Sequence, residues 1–464
     1  MTQPPRRGRT GRIVRRVLAG LLALVLVALV GGYWYARPLL LTGTGYAAHN
    51  ACAVEFVTGR DDPQTDLPPN PLVPYLDTTT EKLGTDGGMA SSSIKGLLAG
   101  QKAWFTPGLG CVVAKEKGEY GTVTAVPAGK NPYTSTPAPT MRPDVSEAIA
   151  KAFGDDLDEA GKKTLGTRAI VVLRGGTLVG ERYADGFDAT TPQLGWSMTK
   201  SVAVLMAGRL AQEGKLNVTD KGLMSQWTDG RADITVDQLM RMTSGIQWDE
   251  TYDLGTPITR MLYLEGSMAG YVAGLPLAHK PGTYQQYSSG STNLLCHVIQ
   301  ERNGHADDAP ADFPRTLLFE PLGLSSAVLE PDAVGLPVCS SYMWATPRDW
   351  AAVGQFALQD GQWHGEQLLP ADWMKQTTSV VAASEGTDDE GYAAGWRANV
   401  RADGSVIDAA LPADTFDARG HDGQRIVVVP SAKLVVVRLG FSPDAEDLRV
   451  NELVKTLAAI PTGG

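Results

Sequence analysis

Two Val-rich runs near the C-terminus constrain the fold most: Arg425 to Val429 and Leu434 to Leu439, joined by Pro430-Ser431-Ala432-Lys433. Continuous β-branched runs on either side of a turn predict a hairpin whose strands are buried on both faces. A strand buried on both sides needs neighbours in its sheet and a cover on each face. The chain offers both. Ala169 to Leu173 and Thr177 to Tyr183 read as a second hairpin turning at Gly175-Gly176. Val145 to Phe153 and Leu448 to Ile460 carry helical apolar spacing. Between the hairpins lies a mixed, largely helical block, with Ser197 to Glu213, Thr235 to Met242 and Ser291 to Glu301 as helices. One lobe is therefore built from both ends of the domain, and an α-rich lobe is inserted between them.

The N-terminus sets location. Val17 to Ala36 holds no charged residue. At ~1.5 Å per residue it can cross ~30 Å of hydrocarbon. Arginines crowd the side before it, which predicts a basic cytoplasmic tail over 1–16, and Tyr33, Trp34 and Tyr35 sit at the far end, where amphipathic rings favour the interface. A cleaved signal peptide is the rival reading. No small-x-small site follows the run, because aromatic residues stand in the −3 places before Ala36 and Ala48. The expectation is a single-pass anchor over 17–36 in the cell inner membrane, with the body outside the cytoplasm. That body is strongly acidic, which argues against nucleic acid or an anionic lipid surface as its partner.

Residues 45–125 form a Gly-, Pro- and Asp-rich segment, with Pro63, Pro68, Pro69, Pro71 and Pro74 close together and short strands over Ile94 to Val113. Residues 126–144 read as a Pro-rich linker, and 145–464 as the main domain. Outside the cytoplasm a disulfide can persist. Cys52 and Cys111 share the N-terminal segment and are the expected pair, with two buried thiols as the alternative. Cys296, in the apolar run Asn293 to Ile299, reads as a core thiol. No histidine spacing suggests a metal site, and nothing implies a cofactor.

Three places carry chemistry. In Gly195-Trp196-Ser197-Met198-Thr199-Lys200-Ser201, Ser197 opens a helix, where free N–H groups favour developing negative charge. Lys200 lies one turn on, on the same face. A hydroxyl is a weak nucleophile until a base takes its proton. Ser-x-x-Lys alone is weak evidence, since Ser197 could be only a helix cap. A second copy, Ser92-Ser93-Ile94-Lys95, lies in a strand-like stretch where residues three apart point to opposite faces. The second place is Tyr284-Gln285-Gln286-Tyr287-Ser288-Ser289-Gly290, where Tyr287 could relay the serine's proton; a tyrosine packed at a helix entrance is the plain alternative. The third is Gly420-His421-Asp422-Gly423-Gln424, just before the Val-rich hairpin, which could equally be a turn.

At these three places, in this order, the chain resembles the serine β-lactamase and penicillin-binding-protein superfamily, in the class C-like branch that holds esterases, D-amino-acid peptidases and 6-aminohexanoate-dimer hydrolases. The resemblance runs from about 145 to the C-terminus and includes Leu239 to Gly245 and Trp344 to Trp350. It implies an α/β (α+β) two-lobed fold, an antiparallel sheet flanked by helices plus an α-rich lobe, here preceded by a transmembrane helix. It implies that Ser197 is acylated, that Lys200 and Tyr287 shuttle its proton, and that the backbone N–H groups of Ser197 and Gln424 form an oxyanion hole. His421 and Gly423 fall where the third motif lines the substrate pocket. Ser289 stands in the place of an asparagine and His421 in the place of a lysine, and both normally help to hold a β-lactam. A small or short peptide-like amide or ester is then the expected substrate. Trp248, with Asp249, Glu250 and Tyr252, is a further candidate for the pocket wall, or for loop packing. The alternatives are a β-lactamase or DD-peptidase acting on cell-wall-type substrates, and a non-catalytic binding protein that keeps the fold. An α/β-hydrolase triad fails because its elbow needs Gly-x-Ser-x-Gly and position 199 is Thr.

Overall fold

A computed structural model describes residues 9–62, 66, 79–84, 88–121, 123–304 and 310–460. The Pro cluster between 63 and 74 and the first eight residues lie outside the described residues.

The chain opens with one long helix, α1 (Arg9–Phe56), that includes Pro38. It therefore passes through both the expected anchor and the start of the expected N-terminal segment. Its first part exposes apolar side chains, whereas Thr42 to Val54 are buried in the body. Small residues make that possible: Ala47, Ala48, Ala51 and Ala53 are fully buried, so the helix backbone can approach its neighbours closely. Those neighbours are the antiparallel strands β1 (Thr79–Gly84), β2 (Met89–Ile94), β3 (Leu98–Thr106) and β4 (Gly110–Val113). Cys52 of α1 is bonded to Cys111 of β4.

The stretch expected as a linker is fastened to the body. Asn131 donates to Asp349 Oδ1 at 2.6 Å, and the Tyr133 hydroxyl donates to the Gly176 carbonyl at 3.0 Å. Arg348 donates to the Tyr133 carbonyl at 2.9 Å. Composition marks a linker, and hydrogen bonds to distant residues seat it on the body.

Then come α2 (Pro143–Ala152), β5 (Thr167–Arg174), β6 (Thr177–Tyr183), α3 (Thr199–Gln212), α4 (Ser289–Asn303), α5 (Pro347–Leu358), β7 (Phe416–Gly420), β8 (Gln424–Val429), β9 (Leu434–Gly440) and α6 (Val450–Ala459). The strands form one antiparallel sheet in the order Arg397–Ala398, β7, β8, β9, β5, β6. The two predicted hairpins are neighbours in it. Alternation sorts their side chains: Ile170 and Val172 pack with Val427 and Val429 under α2 and α6. Val171 and Leu173 pack with Ile426 and Val428 against α5 on the other face. Cys296 is not a free core thiol. It is bonded to Cys339, which ties α4 to the loop before α5.

Candidate active site

Ser197 sits at the junction of the lobes, in a short 3-10 turn (Trp196–Met198) that leads into α3. Trp196 before it has φ +46°, a left-handed conformation that costs a bulky residue about 1–2 kcal/mol. Its ring makes that backbone tolerable: it is buried among Tyr46, Tyr252, Tyr342 and His421, with centroids 5.7–6.4 Å away. The third motif presses on the same turn. A Cβ on Gly420 would lie 2.1 Å from the Gly195 carbonyl oxygen, so only glycine lets β7 come this close.

Lys200 is buried, and its Nζ donates to Ser197 Oγ at 2.9 Å, to Ser289 Oγ at 2.9 Å and to the Ser340 carbonyl at 3.0 Å. Three acceptors match the three protons of an ammonium. Ser289 passes the connection on: its Oγ donates to Glu250 Oε1 at 2.5 Å and its N–H to Glu250 Oε2 at 2.8 Å. Trp248 Nε1 donates to the same carboxylate at 2.5 Å. A hydrogen-bonded line thus runs Ser197–Lys200–Ser289–Glu250, with a cation near one end and a carboxylate at the other.

Ser289, a candidate for substrate binding, and Trp248, a candidate for the pocket wall or for loop packing, are both buried beneath the site, at 0% and 5% exposure. Ser289 uses its hydroxyl inward, and Trp248 fixes Glu250 while packing on Gly290. Glu250 is the residue sequence reasoning undervalued. Its signal was an acid two residues after a tryptophan, which by itself cannot be told from a loop contact.

Tyr287 lies above Lys200, with Nζ 4.8 Å from its ring centroid. The Arg397 guanidinium is 5.0 Å from the same ring centroid, and Tyr392 packs against it edge-to-face at 5.5 Å. Burial works against the Arg397 charge, but Tyr287, Asp389 and Asp417 outweigh it and push its pKa up. Arg397 therefore stays a cation beside Tyr287. No motif marks it in the sequence, because the edge strand that delivers it is more than a hundred residues downstream. Asp388 accepts the Tyr287 backbone N–H at 3.0 Å and holds the loop in place.

At the third motif, His421 stacks on Tyr252 at 4.7 Å, and burial together with the Glu250 charge raises the Tyr252 pKa well above that of a free phenol. Gln424 turns its side chain inward, donating to the Gly440 carbonyl at 2.6 Å and accepting from the Gly440 N–H at 3.0 Å. Gly423 has φ +92°, and its carbonyl accepts from Arg438 at 2.9 Å. Arg438 is fully buried on β9, and further hydrogen bonds to Leu165, Thr167 and Ser442 offset the cost of burying its charge. Asp422 is buried, and burial raises its pKa.

The family model described as Beta-lactamase matches residues 153–458. The chain belongs to the β-lactamase family. Among its relatives, a 6-aminohexanoate-dimer hydrolase of Paenarthrobacter ureafaciens is 26% identical over 355 residues, covering 70% of this chain and 83% of that protein. Two solved structures share the β-lactamase-family fold. The putative 6-aminohexanoate-dimer hydrolase from Bacillus anthracis has a TM-score of 0.56 at 18% identity, over 73% of this chain and 89% of its own. A penicillin-binding protein homolog from Caulobacter crescentus has a TM-score of 0.53 at 18% identity, over 70% of this chain and 100% of its own. The protein is thus a β-lactamase-family hydrolase, related to enzymes of the amide- and ester-cleaving type.

Proposed function

We propose that the protein is an anchored, extracytoplasmic serine hydrolase that cleaves amides or esters through an acyl-enzyme on Ser197. The single observation that carries this is the buried Lys200 ammonium bonded to Ser197 Oγ and, through Ser289, to Glu250. Ser197 Oγ attacks the substrate carbonyl while its proton leaves through the Lys200–Tyr287 pair. The same pair hands that proton to the departing amine or alcohol. Water then attacks the ester on Ser197 and loses a proton to the pair; the acyl–Oγ bond breaks, the pair returns that proton to Ser197 Oγ, and the acid leaves. The backbone N–H groups of Ser197 and Gln424 hold the carbonyl oxygen as it gains charge. Gly423 lets the substrate approach the turn, and His421 walls the pocket beside Tyr252.

The anchor reading is supported by the continuity of α1, whose Thr42 to Val54 stretch is part of the core, and by two disulfides, which persist in an oxidising compartment. The test is a panel of chromogenic esters, amides and a β-lactam, run beside a fluorophosphonate probe. Ester or amide turnover abolished by the probe is expected. Turnover of the β-lactam alone would replace this reading with a β-lactamase, and no turnover with no labelling of folded protein would replace it with a binding protein.

A further inference from the structure

Three features meet where α1 enters the body. First, the turn between β2 and β3 is apolar and bare: Leu97 is 83% exposed and Leu98 42%. Second, this turn is pinned to the apolar part of α1, because the Ala99 N–H donates to the Tyr33 hydroxyl at 3.1 Å. Tyr33 lies three residues inside the end of the charge-free run, ~5 Å along the helix. Third, α1 also touches the loop that walls the active site. Leu39 sits against Gly255, where a Cβ would lie 2.2 Å from its Cδ2. Thr42 and Tyr46, on the next turns, line a pocket completed by Trp196, Tyr252, Leu254 and His421.

We infer that the β2–β3 turn is a second membrane contact, which holds this aromatic pocket at the bilayer surface for amphiphilic esters or amides that carry an acyl chain. The inference rests on the anchor and hydrolase readings above. A lipid surface is the occupant that fits, since the exposed leucines continue the apolar surface of α1 at its aromatic end, and Lys95 at the turn suits lipid phosphates. Thr42 is six residues beyond Ala36, ~9 Å along the helix, which is about the depth of the headgroup layer. An ester at that depth would lie beside the Tyr252 and His421 wall of the active site.

The test uses the full chain in nanodiscs of phosphatidylcholine and phosphatidylglycerol. All four native cysteines are bonded, so Leu97→Cys supplies one thiol for an environment-sensitive fluorophore, and Leu24→Cys is the control for the anchor. Quenching by doxyl-labelled lipid is expected at both positions. Quenching at 24 alone would overturn the inference and leave the anchor standing; quenching at neither would overturn both. Independently, Leu97→Asp with Leu98→Asp should slow hydrolysis of a long-chain nitrophenyl ester held in the nanodisc by about tenfold or more. Its rate on soluble nitrophenyl acetate should stay unchanged. Equal rates on the long-chain ester would overturn the inference. A wild type inert toward acetate would instead count against the hydrolase reading.

Discussion

The catalytic centre and the N-terminal layer are both buried polar constructions, and they are held in opposite ways. The centre is a hydrogen-bonded line, Ser197–Lys200–Ser289–Glu250, in which each member follows the last in series. The layer is fastened several times over. Cys52 is bonded to Cys111, and alanines of α1 pack on β2 and β3. Glu330 accepts from His49 at 2.8 Å, from the Cys111 N–H at 2.6 Å and from Trp344 Nε1 at 3.0 Å. A line transmits charge and a cluster resists displacement. Damage to the first should therefore appear in turnover, and damage to the second in stability.

The largest expected effect breaks the line at its cation. Lys200→Ala removes the donor to Ser197 and should lower kcat/KM by about 10³-fold or more, with the protein still folded by circular dichroism. A loss below about tenfold would sever Lys200 from the chemistry. In the layer, Glu330→Ala leaves three buried donors without an acceptor. It should cost about 3–5 kcal/mol in urea unfolding while leaving kcat near normal in the folded fraction. If kcat fell as steeply as stability, the two regions would not be separable in this way.

Glu250→Gln sharpens the contrast, because it keeps the shape and removes the charge at the end of the line. We expect kcat to fall about 10–100-fold with KM little changed, and the low-pH limb of the kcat profile to move. Glu250→Asp should recover part of the loss. An unchanged pH profile would make Glu250 a packing residue.

The smallest effect lies at the seam of the two regions. Burial pushes the Asp332 carboxyl up to about 6, against the pull of backbone N–H donors at Met268, Leu336 and Val334. Asp332 in turn adds to the burial that pushes the Tyr120 phenol up to about 12. A carboxyl raised above its unfolded value favours the folded state below the unfolded pKa, and that gain is lost as pH rises through about 6. Between pH 6.5 and 4.5 the Asp332→Asn variant should lack about 1–2 kcal/mol of the stabilisation that wild type gains. Identical slopes in urea titrations of the two proteins would contradict the assignment.

The same contrast explains what could be read from sequence. The hairpins at 169–183 and 425–439 were legible because alternation and β-branching are local signals, and the sheet then follows from pairing them. Ser197, Lys200 and Tyr287 were legible as motifs with a fixed spacing and order. The structure brings the first two into hydrogen-bond contact and sets Tyr287 above the amine. The remainder depends on residues that meet only after folding. Arg397 reaches Tyr287 from the edge strand of the sheet, and Glu250 reaches Ser289 from a loop. Nothing in Ser289 itself tells whether its hydroxyl points to substrate or to a carboxylate. The Cys296–Cys339 bond was missed because Cys296 sits in an apolar helix, the usual setting of a core thiol. Four cysteines in a chain expected to lie outside the cytoplasm were the available hint of two bonds. The unbroken course of α1 was hidden because Pro38 and the glycines around it suggest a stop, and only the body packed on Thr42 to Val54 keeps the helix going.

The most direct test of the central claim is to catch the acyl-enzyme. The full chain would be mixed with a slowly deacylating ester, quenched in acid within the first turnover, digested and mapped by mass spectrometry. The acyl mass should sit on the peptide that carries Ser197, should build faster than steady-state turnover, and should be absent in Ser197→Ala. Acylation at another residue, or full turnover by Ser197→Ala, would contradict the account.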